Sequence, residues 1–342
     1  MWLRAFFFSL WAAAVAADPL RLAVYNVELD RDGPGLLLRD IEDGAEDVLA
    51  VAEVIAEAAP DVILLTRFDY DLGLEALSAF NARLGPRAYP HLFALRPNTG
   101  RATGLDLNRN GRTGEPEDAQ GFGRFAGQNG MAILSRFPVD TGAVRDFSGL
   151  LWRDLPGARL PFEGDDPFWE PEVMAVLRLS SVAHWDVPVI VGDRRLHLLA
   201  FHGSPPVFDG PEDRNGLRGA EELRLWQVYL DGGLGPPPGP DFVVIGTANI
   251  DPGKGDGRRE QMRVFLGDPR IRDPVPRGAS GPDTVDWSGE AEPGNLRADY
   301  VLPSAALRVT GSAVVWPPPG TPEAGIAAKA SRHRLVWVDL DL

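Results

Sequence analysis

Two histidines and several Asn and Asp residues adjoin apolar runs of the sequence, at positions where buried strands should begin or end. Asn249 and Asp251 come after the run 242–245, and His202 comes after another apolar segment. A second histidine, His333, precedes the last apolar segment of the chain. A single histidine at a strand end usually has a structural role. Two of them beside Asn and Asp strand ends favour an acid/base or metal site.

Strand alternation groups the polar residues into sets that share a face, since side chains two positions apart point the same way. Three such sets are expected at the edge of a sheet: Asn26, Glu28 and Asp30; Arg67, Asp69 and Asp71; and Thr247, Asn249 and Asp251. Carboxylate and amide oxygens at such an edge could hold a divalent cation or orient a substrate.

Strands and helices alternate along the chain, and they must position these sets. Apolar periodicity predicts helices near residues 43–59, 73–84, 219–232 and 258–268. Apolar runs predict strands near residues 20–30, 61–66, 129–139, 173–192, 195–205, 242–245, 298–304, 307–316 and 333–342. Such continuous runs are typical of sheets covered on both faces. We predict an α/β layered fold with two covered sheets, forming one domain over residues 18–342.

The first 17 residues have the layout of a secretory signal peptide. Arg4 is followed by an apolar stretch and then by small residues suited to cleavage after Ala16 or Ala17. The apolar stretch is short for a membrane span. The chain has no Cys, so neither a lipid anchor on cysteine nor a disulfide is expected. We predict an exported protein, periplasmic or secreted, without stable membrane insertion after cleavage of residues 1–17.

The chain of 342 residues carries a formal net charge of −15. Such a surface repels nucleic acids in general, and the sequence has no Lys/Arg-rich run to counter the repulsion. A nucleic-acid partner is therefore disfavoured, although the charge does not exclude an enzyme that takes a phosphate ester with the help of a cation. Nothing in the composition indicates an oligomeric state.

A second metal signal, independent of the strand ends, lies in residues 106–117. The segment fits the calcium-loop pattern Asp-x-Asn-x-Asn-Gly with Glu at position twelve. The expected ligands are the side chains of Asp106, Asn108, Asn110 and Glu117 and the backbone carbonyl of Arg112. Thr113 departs from the pattern, and no flanking helices are evident. We predict a weak calcium site with a structural role, against the alternative of a Gly/Asn-rich surface loop.

Six segments, in the same order, resemble the motifs of the endonuclease/exonuclease/phosphatase superfamily of metal-dependent phosphoesterases. The segments are 24-VYNV-27, 129-NGMAILSRFPV-139, 201-FHGSPP-206, 246-GTANIDP-252, 298-ADYVLPS-304 and 331-SRH-333. The second is the most specific match, and together they span essentially the whole mature chain. The resemblance implies a four-layer α/β sandwich, in which two packed, mostly antiparallel or mixed β-sheets are flanked by helices.

Carried over position by position, the resemblance implies a catalytic set of Asn26, His202, Asn249, Asp299 and His333. In the family, the two histidines and the aspartate transfer protons and stabilise the phosphate in the transition state. The asparagines orient phosphate or metal. In-line hydrolysis of a phosphate ester needs a base for the water, an acid for the leaving group and positive charge near the equatorial oxygens.

Three departures from the family pattern remove its usual carboxylates. The metal-binding acids of the family fall at Arg67, Thr247 and Arg332. In one interpretation a divalent metal, Mg²⁺ or Mn²⁺, is held by relocated carboxylates such as Asp69 and Asp251. In another, Arg67 and Arg332 bind the phosphate directly, since a guanidinium can fork two phosphate oxygens. In the third, the protein binds its ligand without cleaving it.

A polar segment after the His202 strand offers further contacts to substrate. Asp213, Arg214 and Asn215 are suited to gripping a phosphate ester, and a polar turn that caps the following helix is the alternative. The remaining histidines, His91, His184 and His197, are assigned to packing or to the surface. We predict an exported hydrolase of a phosphodiester or phosphomonoester that acts with a divalent metal. The alternative is a catalytically inactive, calcium-binding member that recognises a phosphorylated ligand or a protein partner.

Overall fold

Two large β-sheets stack face to face, and helices cover the outer face of each. The computed structural model describes residues 19–289 and 293–342; the predicted signal peptide, residues 1–17, lies outside them. The strands are β1 (Leu20–Leu29), β2 (Val62–Phe68), β3 (His91–Phe93), β4 (Gly130–Ser135), β5 (Arg145–Asp146), β6 (Phe162–Glu163), β7 (Asp166–Pro167), β8 (Ala183–Val191), β9 (Arg194–His202), β10 (Phe242–Thr247), β11 (Asp299–Pro303), β12 (Arg308–Val314) and β13 (Val336–Asp341). The helices are α1 (Leu36–Asp43), α2 (Glu46–Ala58), α3 (Glu75–Arg83), α4 (Pro171–Met174), α5 (Arg214–Leu230), α6 (Arg259–Leu266) and α7 (Pro322–Ala330).

The strand order is β12-β13-β1-β2-β4-β3 in the first sheet and β11-β10-β9-β8-β5 in the second. Strands β1 and β2 run parallel, as do β9 and β10, whereas the other neighbouring pairs are antiparallel. Strands β6 and β7 form a separate two-stranded hairpin. The predicted fold class, a four-layer sandwich of two mostly antiparallel or mixed sheets with flanking helices, is confirmed.

Three hydrophobic clusters fill the spaces between these layers. The central cluster joins the inner faces of the two sheets, with Val24 and Leu64 from the first and Trp185 and Ile245 from the second. Another packs α1, α2 and α3 against the outer face of the first sheet. The third packs α5 and α6 against the outer face of the second sheet. Because both faces of each sheet are buried, the central strands are continuously apolar, as predicted.

The structure adds to the prediction at one place and corrects it at another. The predicted helix near 43–59 is α2, and a further helix, α1, precedes it and ends at Gly44, whose left-handed conformation (φ 71°) glycine adopts without steric cost. The strand near 173–192 begins only at Ala183, since Pro171 at the first helical position favours the short helix α4 before it. Within the described residues, no helix is long and apolar enough to cross a membrane.

Gly246 in β10 lies against β9 without room for a side chain. A Cβ at this position would lie 1.9 Å from the carbonyl oxygen of Phe201, whereas a Cβ at Gly239, in the loop before β10, would meet nothing within 4 Å. We therefore expect Gly246→Ala to lower the free energy of unfolding by about 3 kcal/mol, because two central strands must separate. Gly239→Ala should change it by less than about 0.5 kcal/mol in the same urea titration. Equal stabilities of the two variants would contradict this packing.

Candidate active site

Three neighbouring strands of the second sheet place chemical groups side by side at one edge. His202 ends β9, Thr247 ends β10 and Asp299 begins β11. Thr247 is the register partner of His202 on one side and of Asp299 on the other. These three positions therefore meet where the carboxyl ends of β9 and β10 leave the sheet.

His333, which precedes β13, joins this edge and forms a dyad with Asp299. Its Nδ1 lies 2.7 Å from Asp299 Oδ2, and both side chains are buried. Since a carboxylate accepts, Nδ1 carries the hydrogen and Nε2 is the nitrogen left for proton transfer. Asp299 also accepts hydrogen bonds from Thr247 at 2.6 Å and from Thr284 at 2.9 Å. These two hydroxyl groups fix the orientation of the carboxylate.

A hydroxyl chain connects the dyad to the first sheet. The hydroxyl oxygen of Thr66, on β2, lies 2.8 Å from that of Thr247. Because Thr247 donates its single hydrogen to Asp299, Thr66 must be the donor to Thr247. The chain Thr66–Thr247–Asp299–His333 is buried throughout, so water competes little for its hydrogen bonds. Thr247, which replaces a family carboxylate, therefore serves as a hydrogen-bonded link between the two sheets.

His202 is buried and held in its neutral form. Burial lowers its pKa from 6.5 to about 3, and the positive charges of Arg67 and His333 act in the same direction. Among the described residues, its Nδ1 finds no hydrogen-bond partner, and the buried Oδ1 of Asn26 on β1 finds none either. Unpaired buried polar atoms are rare, and they often mark the place of a ligand or an ordered water. Arg67, His202 and His333 therefore belong to one site, and Asn26, like His202, leaves a buried polar atom unpaired.

Irregularities in β1 and β2 bring Glu28 and Arg67 into this site. Both residues have positive φ angles, 49° and 54°. The pairing of β1 with β2 shifts register around Glu28, and that of β2 with β4 shifts around Arg67. Bulges of this kind re-aim side chains, and positive φ is strained for a residue with a Cβ. They interrupt the strict alternation predicted for these two strands.

Glu28, Asp30, Arg67 and Arg332 form an ion-pair cluster centred on Glu28. Glu28 Oε1 accepts from Arg67 Nη1 at 2.7 Å and from Arg332 Nη2 at 2.6 Å. Asp30 accepts from Arg67 Nε at 2.9 Å. Burial by itself would raise the pKa of Glu28, but the hydrogen bond from Arg332 and the charges of His333 and Arg67 lower it to about 2. Glu28 is therefore ionised at physiological pH.

A divalent metal does not fit the donors of this cluster. Mg²⁺ favours several hard oxygen ligands, carboxylates above all, but both carboxylates here already bind guanidinium groups, and Arg67 lies between them as a cation. In residues 19–289 and 293–342, no group of three or more His, Asp and Glu side chains could hold a metal ion. The chemistry of the donors thus favours an anion rather than a second cation.

Asp69 and Asp251, the carboxylates predicted as relocated metal ligands, bind backbone N–H groups instead. Asp69 accepts from Arg31 and Asn129 at 2.9 Å each. Burial raises the pKa of Asp69 to about 7, although these hydrogen bonds act in the other direction. Asp251 accepts from three backbone N–H groups at 2.7 to 2.9 Å. Both side chains therefore shape loops beside the site.

The remaining predicted site residues of this region make hydrogen bonds and ion pairs within and between loops. Asn249, with a φ of 56°, donates from Nδ2 to the carbonyl oxygen of Gly203 at 2.8 Å and ties the loop after β10 to the loop after β9. Side chains of the predicted substrate-binding set, Asp213, Arg214 and Asn215, contact Arg258, Glu212 and the carbonyl of Val207, respectively. These contacts fit the alternative of a polar turn before α5.

The predicted calcium loop is closed by its own hydrogen bonds. Asp106 accepts from two backbone N–H groups of the loop, at 2.7 and 3.1 Å, and Asn110 Oδ1 accepts from the N–H of Arg112 at 2.9 Å. Within the loop, Glu115 accepts from Asn110 Nδ2 at 2.5 Å, and Asp118, just after the loop, accepts from the N–H group of Leu107 at 2.8 Å. Glu117, the expected ligand at position twelve, is exposed.

Glu222 on α5 holds two loops beside His202, and the sequence analysis did not identify it as a site residue. Its buried carboxylate accepts from the N–H and hydroxyl groups of Ser181 at 2.6 and 2.7 Å, and from the N–H of Ser204 at 2.5 Å. Burial raises the pKa of Glu222 despite these donors. A signal was present, because Glu222 lies one helical turn before Trp226 on the buried face of α5.

A cavity of about 290 Å³ opens beside the end of β2, close to the ion-pair cluster in sequence. Its lining includes Asp69, Tyr70, Leu72, Arg96 and Phe125. A mostly apolar wall with a few polar groups is typical of small-molecule sites, and the volume is at the lower end of their range.

The motifs, the two-sheet fold and the paired histidines agree with one family of enzymes. The model of the endonuclease/exonuclease/phosphatase family matches residues 23–333, and the chain belongs to this family. Its members are phosphoesterases, and they usually use divalent metals. The ion-pair cluster of this chain is therefore a departure within a shared fold.

Solved structures of the same fold are distant in sequence. An endonuclease/exonuclease/phosphatase from Beutenbergia cavernae is 18% identical with a TM-score of 0.55, over 95% of this chain and 72% of its own. A sphingomyelinase C from Streptomyces griseocarneus is 15% identical with a TM-score of 0.52, over 94% of this chain and 99% of its own. A Bacteroides thetaiotaomicron mannosyl-6-phosphatase is 13% identical with a TM-score of 0.53, over 94% and 100%. No curated protein sequence matches the chain.

His184 provides a test of the buried electrostatics beside the site. Its Nε2 lies 2.9 Å from the carbonyl oxygen of Glu222 and its Nδ1 lies 2.7 Å from the hydroxyl of Ser180, and burial lowers its pKa to about 3. The unfolded chain therefore binds a proton that the folded chain does not, and stability falls as the pH drops below about 6.5. We expect the free energy of unfolding of His184→Gln, which keeps a donor and an acceptor, to fall less steeply with decreasing pH than that of the wild type. The difference between the two slopes should be about 1.4 kcal/mol per pH unit.

The measurement is urea denaturation of both chains between pH 6.5 and pH 5, a range above that in which Glu28 titrates. The comparison of two slopes removes the contributions of all other titrating groups. Identical slopes for the wild type and the variant would show that His184 is charged in the folded protein.

Proposed function

We propose that the chain is a phosphoester hydrolase with His202 and His333 as its acid/base pair. The observation that carries this proposal is the buried dyad of His333 and Asp299 at the same sheet edge as the neutral His202. In-line hydrolysis needs one group that takes a proton from water and another that gives a proton to the leaving oxygen. The two histidines differ in environment in a way that suits these two tasks.

His202, which is neutral, is suited to accept the proton of the attacking water. His333 is suited to donate a proton, since its Nδ1 bonds to Asp299 at 2.7 Å and leaves Nε2 for the transfer. The water oxygen forms a bond to phosphorus while the bond from phosphorus to the leaving oxygen breaks. One proton passes to His202 and one passes from His333 to the leaving oxygen. The unpaired amide oxygen of Asn26 would accept the second hydrogen of the water.

The proposed substrate is a phosphodiester or phosphomonoester of a small organic alcohol. The net charge of −15 disfavours a long polynucleotide. Structural neighbours named as a sphingomyelinase and a mannosyl-6-phosphatase are consistent with this class of substrate.

We also propose that the protein is exported to the periplasm or secreted. The support is the layout of residues 1–17, with Arg4, an apolar stretch and small residues before the mature chain.

Removal of either histidine should abolish most of the activity. We expect His202→Asn and His333→Asn each to lower kcat/KM for bis(p-nitrophenyl) phosphate or p-nitrophenyl phosphate at least about 100-fold, because each loses a proton-transfer group. The matched control is His91→Asn at the start of β3, which should stay within about twofold of the wild type.

An equal loss in His91→Asn, or full activity in either site variant, would overturn the assignment of the acid/base pair. No turnover by the wild type on either ester would instead favour the second candidate. That candidate is an inactive member of the family that binds a phosphorylated ligand or a protein partner.

We further propose a weak structural calcium site in residues 106–117. The loop has the required oxygen-bearing side chains, and binding would require Glu117 to turn inward from its exposed position. By calorimetric titration we expect a Kd of about 0.1–1 mM, the range of extracellular calcium modules. Asp106→Ala should remove the binding, whereas Asp32→Ala, an exposed carboxylate outside the loop, should leave it unchanged. Calcium binding that persists in Asp106→Ala would place the ion elsewhere.

A further inference from the structure

The guanidinium of Arg67 is held by two carboxylates, and these use only some of its N–H groups. Its Nε and Nη2 lie 2.9 and 2.7 Å from Asp30 Oδ1, and its Nη1 lies 2.7 Å from Glu28 Oε1. A guanidinium has five N–H donors, so N–H groups on both Nη atoms remain beyond these contacts. The side chain retains 28% of its exposed surface. The guanidinium of Arg67 is therefore already oriented to donate to a further hydrogen-bond acceptor.

The same guanidinium lies beside the acid/base pair. Arg67 directly follows Thr66, whose hydroxyl oxygen lies 2.8 Å from that of Thr247, the register partner of His202. The bulge at Arg67, with its φ of 54°, turns the side chain from β2 toward Glu28 on β1. A strained backbone of this kind persists where surrounding contacts require it, and it is concentrated at functional sites.

We propose that Arg67 is the phosphate-binding cation of this site, so that the protein binds its phosphate ester without a resident divalent metal. The inference deepens the proposed function and rests on it for the identity of the ligand. A guanidinium offers two parallel N–H groups that match two phosphate oxygens, and it supplies the positive charge that the equatorial oxygens need. Glu28 and Asp30 are positioning residues in this arrangement, because they act through Arg67.

The charges of the cluster explain why a metal is disfavoured. Two carboxylates and two guanidinium groups balance one another, with Arg332 completing the pairing of Glu28 at 2.6 Å. A divalent metal on Glu28 would displace one or both guanidinium groups and leave cations without partners, which is costly in a half-buried site. A phosphate group requires no displacement, since it binds to N–H groups that the carboxylates leave open.

The first experiment measures the binding of inorganic phosphate by calorimetry in the presence of EDTA. We expect the wild type to bind and Arg67→Gln to bind at least about 10-fold more weakly, because a charged bidentate contact is lost. Arg195→Gln is the matched control, since Arg195 lies at the opposite end of β9 from His202 and pairs with Asp140 at 2.7 Å. Its affinity should equal that of the wild type.

The second experiment asks whether Arg67 stands in the place of a metal. Arg67→Glu brings a third carboxylate beside Glu28 and Asp30, which is a donor set for Mn²⁺. We expect the Tm of this variant to be several degrees higher in Mn²⁺ than in EDTA. The Tm of the wild type should be the same in Mn²⁺ as in EDTA. A wild type stabilised by Mn²⁺ as much as the variant would overturn the inference.

Arg67→Lys covers the case in which Arg67→Gln does not fold, because lysine keeps the charge opposite Glu28 but lacks the fork. Its affinity for phosphate should fall at least about 5-fold in EDTA, and an unchanged affinity would overturn the inference. So would phosphate binding by the wild type that requires Mg²⁺ or Mn²⁺, or no binding at all. Phosphate binding that depends on Arg67 in a chain without esterase activity would refute the proposed hydrolysis and leave the binding site established.

Discussion

The pairing of one half-buried carboxylate, Glu28, with two guanidinium groups is the interaction on which the site depends. It joins β1 to the end of β2 through Arg67 and to the segment before β13 through Arg332. A half-buried carboxylate without its cations would be strongly disfavoured, so the three segments must stay together. The positive φ angles of Glu28 and Arg67 are tolerated because these contacts stabilise them. The loss of either arginine would therefore disturb local structure as well as ligand binding.

A second set of hydrogen bonds connects this cluster to the acid/base groups. The hydroxyl of Ser331 donates to the carbonyl oxygen of Asn26 at 2.8 Å and lies 3.1 Å from Glu28 Oε2. The backbone N–H of His333 in turn donates to Ser331 Oγ at 3.0 Å. Together with the hydroxyl chain from Thr66 to Asp299, these bonds hold the edges of both sheets in one arrangement. Arg67, His202 and His333 are thus positioned by a single network of hydrogen bonds.

The proposed mechanism separates proton transfer from charge stabilisation. The His333–Asp299 dyad and the neutral His202 would provide for proton transfer, which is the part of phosphoester hydrolysis that does not depend on the identity of the cation. The positive charge would come from the covalently attached guanidinium of Arg67. Such a cation has a fixed position and a fixed charge of one, whereas a metal ion brings a charge of two and exchangeable waters.

The sequence alone determined the family and the layered α/β fold, and it singled out the candidate residues for proton transfer. Short ordered motifs carry that information, because each motif is a strand end whose residues are contiguous. It also showed that Arg67, Thr247 and Arg332 replace carboxylates, but not what they do instead. Only the tertiary structure decided that Arg67 pairs with Glu28, 39 residues away, and that Thr247 links two sheets. Strand alternation fails at the two bulges, so it could not place Glu28 and Arg67 correctly. The roles of Asp69, Asp251 and Glu222 likewise depend on which backbone N–H groups approach them, and burial, which sets the charge state of His202, exists only in the folded chain.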